Sequence, residues 1–224
     1  QEKERIYSQA FNQVKTEVKN SILEACSTVF THNKTLIQSI ERSNFTAFVE
    51  NMQPSIRLNI IGAGNDVLPL VKLAKAMGWD IVIADGRSDL VTPTRFPEAI
   101  ELLTGKAVEV VGQLKVDPKT AVVLMSHNFN YDLEILKGLY PYKCPYIGVL
   151  GPKKKLLKLM EQLANQGIAF QEKDENLIFG PMGLDIGAES PEEIALSILS
   201  EVKAVMAGNV GGHLRSKNGP IHQI

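Results

Sequence analysis

The short run Arg57–Ile61 ends on Gly62-Ala63-Gly64 and passes at once into a stretch with helical periodicity, Asp66 to Met77, closed by Gly78. A buried strand that turns on glycine into a helix leaves few options, because the helix must cover the sheet that the strand belongs to. Asp80 to Ala84 reads as a second strand, so the segment is one βαβ unit with parallel strands.

The same alternation continues downstream. Phe96 to Leu103 reads as a helix, Ala107 to Val111 and Thr120 to Met125 as strands, Asn130 to Leu139 as a helix, and Tyr146 to Leu150 as a strand. Lys153 to Gln166 reads as a basic-faced helix ended by Gly167. Ser190, Pro191 and Glu193 supply the N-cap, the first-turn proline and the capping-box acid of a last helix that runs to about Ala207. The tail Gly208 to Ile224 lacks apolar periodicity and reads as loop. The expected fold class is therefore α/β, a Rossmann-like parallel sheet flanked by helices.

Upstream the pattern differs. Ile6, Ala10, Val14, Val18 and Ile22 recur every fourth residue, which predicts an amphipathic helix from Glu4 to Ala25. Ser27 to Phe30 and Thr35 to Ile40 read as short strands around a turn at Thr31-His32-Asn33-Lys34, and Phe45 to Val49 as one more. Pro54 punctuates the chain, and a boundary near Ser55 separates a small α+β segment, residues 1–55, from the Rossmann-like domain, residues 56–224.

Charge and composition exclude some partners. Lys and Arg number 24 against 25 Asp and Glu, so no positive field exists to hold a nucleic-acid backbone. The apolar stretches Leu58 to Ile61 and Ala121 to Met125 are far shorter than the ~20 residues of a transmembrane helix, and no membrane span is expected. Cys26 and Cys144 stand far apart without partner spacing, which argues against a disulfide framework or a cysteine-rich zinc site and for a cytoplasmic setting. Neither has neighbours in sequence that would mark it as a reactive thiol.

Four places can carry chemistry. At Gly62-Ala63-Gly64 the missing side chains let the backbone approach a phosphate at a helix N-terminus, with Asp85 about 20 residues on, where an acid bonds a ribose hydroxyl in dinucleotide-binding folds. Val67 stands where that fingerprint has its third glycine, and a purely structural turn is the competing reading. Ser126, His127 and Asn128 follow a strand and so sit at the carboxyl edge of the sheet; His127 can donate to an anion, act as a base, ligate a metal or simply cap the next turn. Gly148 to Lys153 repeats the strand, glycine turn, helix pattern, with Gly151 in the turn and Lys153 the lysine best placed for a phosphate. Gly183-Leu184-Asp185-Ile186-Gly187-Ala188 places two glycines around one acid, read either as backbone brought close to a ligand with Asp185 held by local N–H groups, or as a tight connection. A nicotinamide-dependent oxidoreductase using NAD(P) fits the turn and Asp85 alone, although no Tyr-x-x-x-Lys pair follows.

Taken in order, Gly62-Ala63-Gly64-Asn65-Asp66, Asp85-Gly86-Arg87, Phe96-Pro97, Val123 to Asn128, Tyr146 to Gly151, Pro181 to Ala188, Pro191 to Ala195 and Gly219-Pro220-Ile221-His222 resemble the XdhC/CoxI family, the accessory proteins of xanthine dehydrogenase and related molybdenum hydroxylases. The resemblance covers Ser55 to the end, and its most specific part is Gly183 to Ile198. Residues 1–55 resemble the closing helix and strands of the family's N-terminal domain. The family often has His where Asn65 stands, Asp where Asn128 stands, and Gly-Ser-Arg where Gly151-Pro152-Lys153 stands.

The resemblance implies a non-catalytic chaperone. Such a protein binds the molybdenum cofactor (molybdopterin), protects it while a cysteine desulfurase supplies its terminal sulfur, and passes it to an apo molybdenum hydroxylase of the xanthine dehydrogenase kind. It implies cofactor-binding roles at Gly62, Gly64, Asn65, Asp66, Asp85, Arg87, Ser126, His127, Gly148, Gly151, Lys153, Gly183, Asp185 and Gly187, with no catalytic residue and no metal held by side chains. A homodimer is expected as well.

Overall fold

The computed structural model describes residues 16–32, 36–40, 45–49, 54–168 and 177–219. By residue contacts the chain divides into two units, a larger one spanning Pro54–Ser216 and a smaller one that contains the first helix and first two strands.

In the smaller unit α1 spans Thr16–His32, and β1 (Leu36–Ile40) pairs antiparallel with β2 (Phe45–Val49), Leu36 opposite Val49 and Ile40 opposite Phe45. Residues 4–15 of the expected helix lie outside the described residues. The expected strand Ser27–Phe30 is helical instead, as are Thr31 and His32 of the expected turn. Val18, Ala25 and Val29 are buried at spacings of seven and four, so the helical stripe runs straight through Val29 and the 3.6-residue period wins over local β propensity.

The larger unit is built on β3 (Arg57–Ile61), α2 (Val67–Ala76), β4 (Asp80–Asp85), β5 (Glu101–Thr104), α3 (Ala107–Gln113), β6 (Thr120–Leu124), α4 (Phe129–Leu139), β7 (Tyr146–Val149), α5 (Lys153–Asn165), β8 (Ile178–Phe179) and α6 (Pro191–Met206). The six strands form one parallel sheet in the order β5-β4-β3-β6-β7-β8. This is a Rossmann-like α/β fold, in which the chain runs outward from β3 one way and then, from β6, the other. Ile61 lies between Ala84 and Leu124 in register, which fixes where the ends of the central strands fall.

Both faces of the sheet are covered, as the near-continuous apolar strands require. Leu58, Ile60, Ile81, Ile83 and Val123 pack against Leu70 and Val71 of α2 and Ile198 and Val202 of α6. Ile61, Val82, Val122 and Leu124 face the other way, against Val110 of α3, Leu136 and Leu139 of α4, and Leu159 and Leu163 of α5. Among the described residues no helix is long and apolar enough to cross a membrane.

Two expected elements exchange places. Residues 96–100 form turns rather than a helix, and Glu101–Thr104 is the edge strand β5, paired with β4 through Val82 and Glu101. Ala107–Val111, expected as a strand, opens α3. Its Ala107, Val110, Val111 and Leu114 are buried at helical spacing while Val108 stays exposed, and Lys106 N–H donates to Glu109 Oε2 at 2.9 Å to cap the first turn. A valine-rich segment therefore obeys its 3.6-residue burial pattern rather than its β propensity. The two-residue strand β8 has no counterpart in the sequence reading.

Candidate functional site

Backbone hydrogen bonds continue the sheet past the strand ends. Gly62 N–H donates to Ala84 O (2.7 Å), Met125 N–H to Ile61 O (2.7 Å), Leu150 N–H to Leu124 O (3.0 Å) and Met182 N–H to Val149 O (3.3 Å). This row puts the motifs beginning at Gly62, Ser126, Gly151 and Gly183 side by side along one carboxyl edge. The strand order reverses between β3 and β6, and in open α/β sheets a crevice forms outside such a reversal.

Gly62 is required by its surroundings. Its φ is +137°, and a Cβ there would overlap the Met125 carbonyl and stand 2.9 Å from Ser126 N. At Gly64 a Cβ would meet the carboxylate of Asp66 and stand 3.9 Å from His127 Cδ2, with no backbone in the way. The turn delivers Asp66 to the N-cap of α2, but Asp66 caps nothing with its side chain. Instead its Oδ2 lies 2.8 Å from His127 Nε2, across the reversal point. His127 adopts φ +56°, a left-handed conformation uncommon outside glycine, and its side chain is exposed. Asn128 is the N-cap of α4, its Oδ1 accepting from the N–H groups of Asn130 and Tyr131 at 3.1 and 3.2 Å.

At the end of β4, Asp85 is nearly buried and its carboxylate is filled. Oδ1 accepts from Arg87 N (2.9 Å) and Nε (3.0 Å), and Oδ2 from Ala63 N (2.8 Å) and Arg87 Nη2 (2.6 Å). Burial pushes this carboxyl up, but the hydrogen bonds and charge of Arg87, with the Ala63 amide, prevail and hold it below its ordinary range. The acid expected to meet a ribose hydroxyl thus fastens the glycine turn to Arg87. Beyond it, Arg95 Nη2 donates to Asn65 Oδ1 at 2.6 Å, and a Cβ on Gly86 would stand 3.3 Å from the Tyr131 ring. The Tyr131 hydroxyl is pushed up to about 12, first by burial and then by nearby carboxylates, Asp85 foremost.

A small apolar cavity of about 90 Å³ opens at this edge, lined by Asp66, Met125, Leu150 and the first turns of α6 at Pro191, Ile194 and Ala195. The α6 N-terminus is spoken for: Ser190 Oγ accepts from Glu193 N, and Glu193 Oε2 accepts from the N–H groups of Glu189 and Ser190.

The remaining expected positions are placed unevenly. Gly148 lies inside β7, where Met182 Sδ and the Tyr146 ring would be 2.7 and 2.8 Å from a Cβ, so its bareness serves packing. Gly151 turns the chain into α5 at φ +117°. Lys153 is exposed and, among the described residues, has no hydrogen bond or ion pair. Gly183 N–H donates to Glu201 Oε2 (2.8 Å), which also accepts from the buried Tyr146 hydroxyl (2.6 Å); burial and this bond raise that phenol well above its usual value. Asp185, expected to be held by local N–H groups, is exposed and has no hydrogen bond among the described residues; its loop is anchored instead through Gly183 and through Leu184 O, which accepts from Ser197 Oγ at 2.6 Å. Gly187, at φ +72°, lies in the same exposed loop.

The sequence reading missed a buried group beneath the crevice. Asp132 is fully buried; Ser126 Oγ donates to its Oδ1 at 2.5 Å, and Lys155 Nζ to its Oδ2 at 2.7 Å and to Leu150 O at 2.9 Å. It locks the turns after β6 and β7 together. The available signal was a charge within an apolar stripe, since Asp132 precedes Leu136 and Leu139, and Lys155 precedes Leu159, at helical spacing. Among the described residues no group of three or more His, Cys, Asp or Glu could hold a metal ion.

Comparisons with known proteins match this edge and the sheet behind it. The model of the XdhC Rossmann domain family matches residues 58–202. A Bacillus subtilis (strain 168) protein, named as a probable component of xanthine dehydrogenase, is 31% identical over 155 residues, 69% of this chain and 44% of that one. The molybdenum cofactor insertion chaperone PaoD of Escherichia coli (strain K12) is 27% identical over 162 residues, 72% of this chain and 44% of PaoD. A solved structure titled a xanthine dehydrogenase, from Bacillus halodurans, superposes with a TM-score of 0.62 at 32% identity over 77% of this chain and 47% of that chain. The chain thus spans less than half the length of each of these three relatives.

Proposed function

Because the chain belongs to the XdhC Rossmann domain family, we propose that it binds the molybdenum cofactor and, as an accessory chaperone, assists its sulfuration and insertion into a xanthine dehydrogenase-type molybdenum hydroxylase. The observation that carries this reading is the meeting of Gly62–Asp66 with Ser126–Asn128 at the strand reversal, beside the guanidinium of Arg87. Molybdopterin ends in a phosphate, or in a diphosphate in its dinucleotide form, and this corner offers bare backbone plus a fixed cation to such a tail.

In this reading Gly64 admits the tail to the backbone, and Gly62, bare because it packs on the Met125 carbonyl, sets the turn that presents it. Arg87, set by Asp85, supplies charge; Asn65 and Arg95 extend the polar rim; Ser126 and His127 flank the crevice from β6. Gly148 and Gly151 shape the neighbouring turn, and Lys153, Asp185 and Gly187 stand on the exposed edge where a partner protein would approach. The bound cofactor brings its own molybdenum chemistry, which belongs to the hydroxylase. The chain's part is to hold and release it without catalysis. A cysteine desulfurase, the apo hydroxylase and a second copy of the chain are the proposed partners, in the cytoplasm. The division into residues 1–55 and 56–224 belongs to the same proposal.

Activation of purified apo hydroxylase by free cofactor, with and without the protein, tests the reading. Faster or fuller activation is expected with the wild type. Gly64→Asp, which adds a carboxylate at the turn, should abolish the gain. An NAD(P)-dependent oxidoreductase remains the competing activity; turnover of NAD(P) with no cofactor affinity would establish it instead.

A further inference from the structure

We infer that the end of β4 is a phosphate-reading subsite centred on Arg87, so that the site takes a ligand ending in a phosphomonoester in preference to one carrying an unmodified ribose there. The identity of the ligand rests on the proposed function, whereas the chemistry of the subsite does not.

The starting point is an acceptor count. In folds with this strand order, a carboxylate at the end of the second strand accepts from the ribose hydroxyls of a bound dinucleotide. Asp85 occupies that position, yet a carboxylate offers about four lone-pair sites and here four donors already fill them: Arg87 N, Nε and Nη2, and Ala63 N. The side chain is only 5% exposed. A ribose diol arriving at this corner finds no free acceptor and cannot reach the carboxylate without displacing Arg87.

What the corner shows to solvent is a donor. The Arg87 side chain is 50% exposed, and its contacts with Asp85 use Nε and one edge of Nη2. Both hydrogens of Nη1 and the second hydrogen of Nη2 have no partner among the described residues. Guanidinium presents such hydrogens as a planar fork that matches two oxygens of a phosphate. Asp85 holds that fork rigid, so little side-chain entropy is lost on binding. A second guanidinium is tied to the same turn through Asn65, and its Nε is buried with no hydrogen-bond partner among the described residues. Asp66 and Asp89 lie close enough to act on Arg87 electrostatically and temper its field, so the selection rests on the donor fork and on the absence of a free acceptor for a ribose, not on net charge.

For a pterin cofactor this selects the form that ends in a single phosphate over the form extended by a nucleoside. Equilibrium dialysis under anaerobic conditions against the monophosphate form of molybdopterin and against its cytosine dinucleotide form reads the preference directly. The expected result is roughly tenfold tighter binding of the monophosphate form by the wild type. Arg87→Gln should lose that preference. By uncovering Asp85 it should also gain affinity for the ribose-bearing form, a change that unfolding cannot imitate. Arg87→Lys, which keeps the charge but not the fork, should fall between. Equal binding, or tighter binding of the dinucleotide form by the wild type, overturns the inference. If neither form binds, the proposed function fails and the subsite is judged separately with 2′,5′-ADP against 5′-AMP: Arg87-dependent preference for the 2′-phosphorylated probe sustains it, and equal or no binding of the two overturns it.

Discussion

Asp66 Oδ2 and His127 Nε2 stand 2.8 Å apart, joining the turn after β3 to the turn after β6 across the point where the strand order reverses. His127 is 60% exposed and Asp66 28%, so the contact contributes less than ~1 kcal/mol to stability. Its weight falls on the ligand. Asp66 lines the cavity, and its carboxylate faces the approach of any anion to Gly64. Asp66→Asn should leave the urea midpoint almost unmoved while raising affinity for the anionic cofactor roughly three- to tenfold, an effect that shrinks with added salt. Unchanged or weaker binding would mean that the carboxylate orients the ligand rather than repelling it.

The buried pair of Asp132 and Lys155 behaves in the opposite way. Asp132 is fully buried, and without Lys155 its carboxylate would keep only the Ser126 hydroxyl. Lys155→Met should therefore cost about 3–5 kcal/mol. The double variant Asp132→Asn/Lys155→Met removes both charges and should recover most of that loss. Urea unfolding of the two singles and the double closes the cycle; additive losses would show that the pair is not coupled.

These contacts mark where sequence reading stops. The unit β3-turn-α2 is legible because a buried run, two glycines and a periodic helix coincide within Arg57–Ala76, and α6 because Ser190, Pro191 and Glu193 announce its start. The row of motifs along the carboxyl edge follows from strand ends alone. Residues 96–113 are not legible in this way because a four-residue edge strand and a seven-residue helix are too short to establish a period, and valine favours strand. The bond from Tyr146 to Glu201 crosses 55 positions, and the filling of Asp85 depends on the rotamer of Arg87. Neither leaves a trace in local spacing.

The two cysteines should differ in reactivity. Cys144 is buried, and burial pushes its thiol up to about 11, outweighing the lowering effect of the backbone at Tyr146 and Val122. At pH 8 it is almost wholly protonated and out of reach. Cys26 is partly exposed on α1. Ellman's reagent at pH 8 should label one thiol quickly in the native protein and the second only after denaturant is added. Rapid labelling of both would place Cys144 at a surface.

Acid should expose the role of Asp85. Its carboxyl is held below the ordinary carboxylate range in the folded chain, so the folded state keeps it ionised at pH values where the unfolded chain has begun to bind a proton. For a depressed acid the contribution is present in full above the unfolded value, near ~3.9, and is lost as pH falls through the folded one. At pH 7, Asp85→Asn turns one charged acceptor of Ala63 N–H and Arg87 into a neutral amide that must aim a donor at other donors, at a cost of about 1–3 kcal/mol. Urea midpoints measured from pH 7 to pH 2.5 should therefore differ most at neutral pH and converge below pH ~4, because the wild type alone loses this contribution there. Curves that stay parallel to the lowest pH would mean that Asp85 is not ionised against Arg87 in the folded protein, and the filled carboxylate at the end of β4 would have to be abandoned.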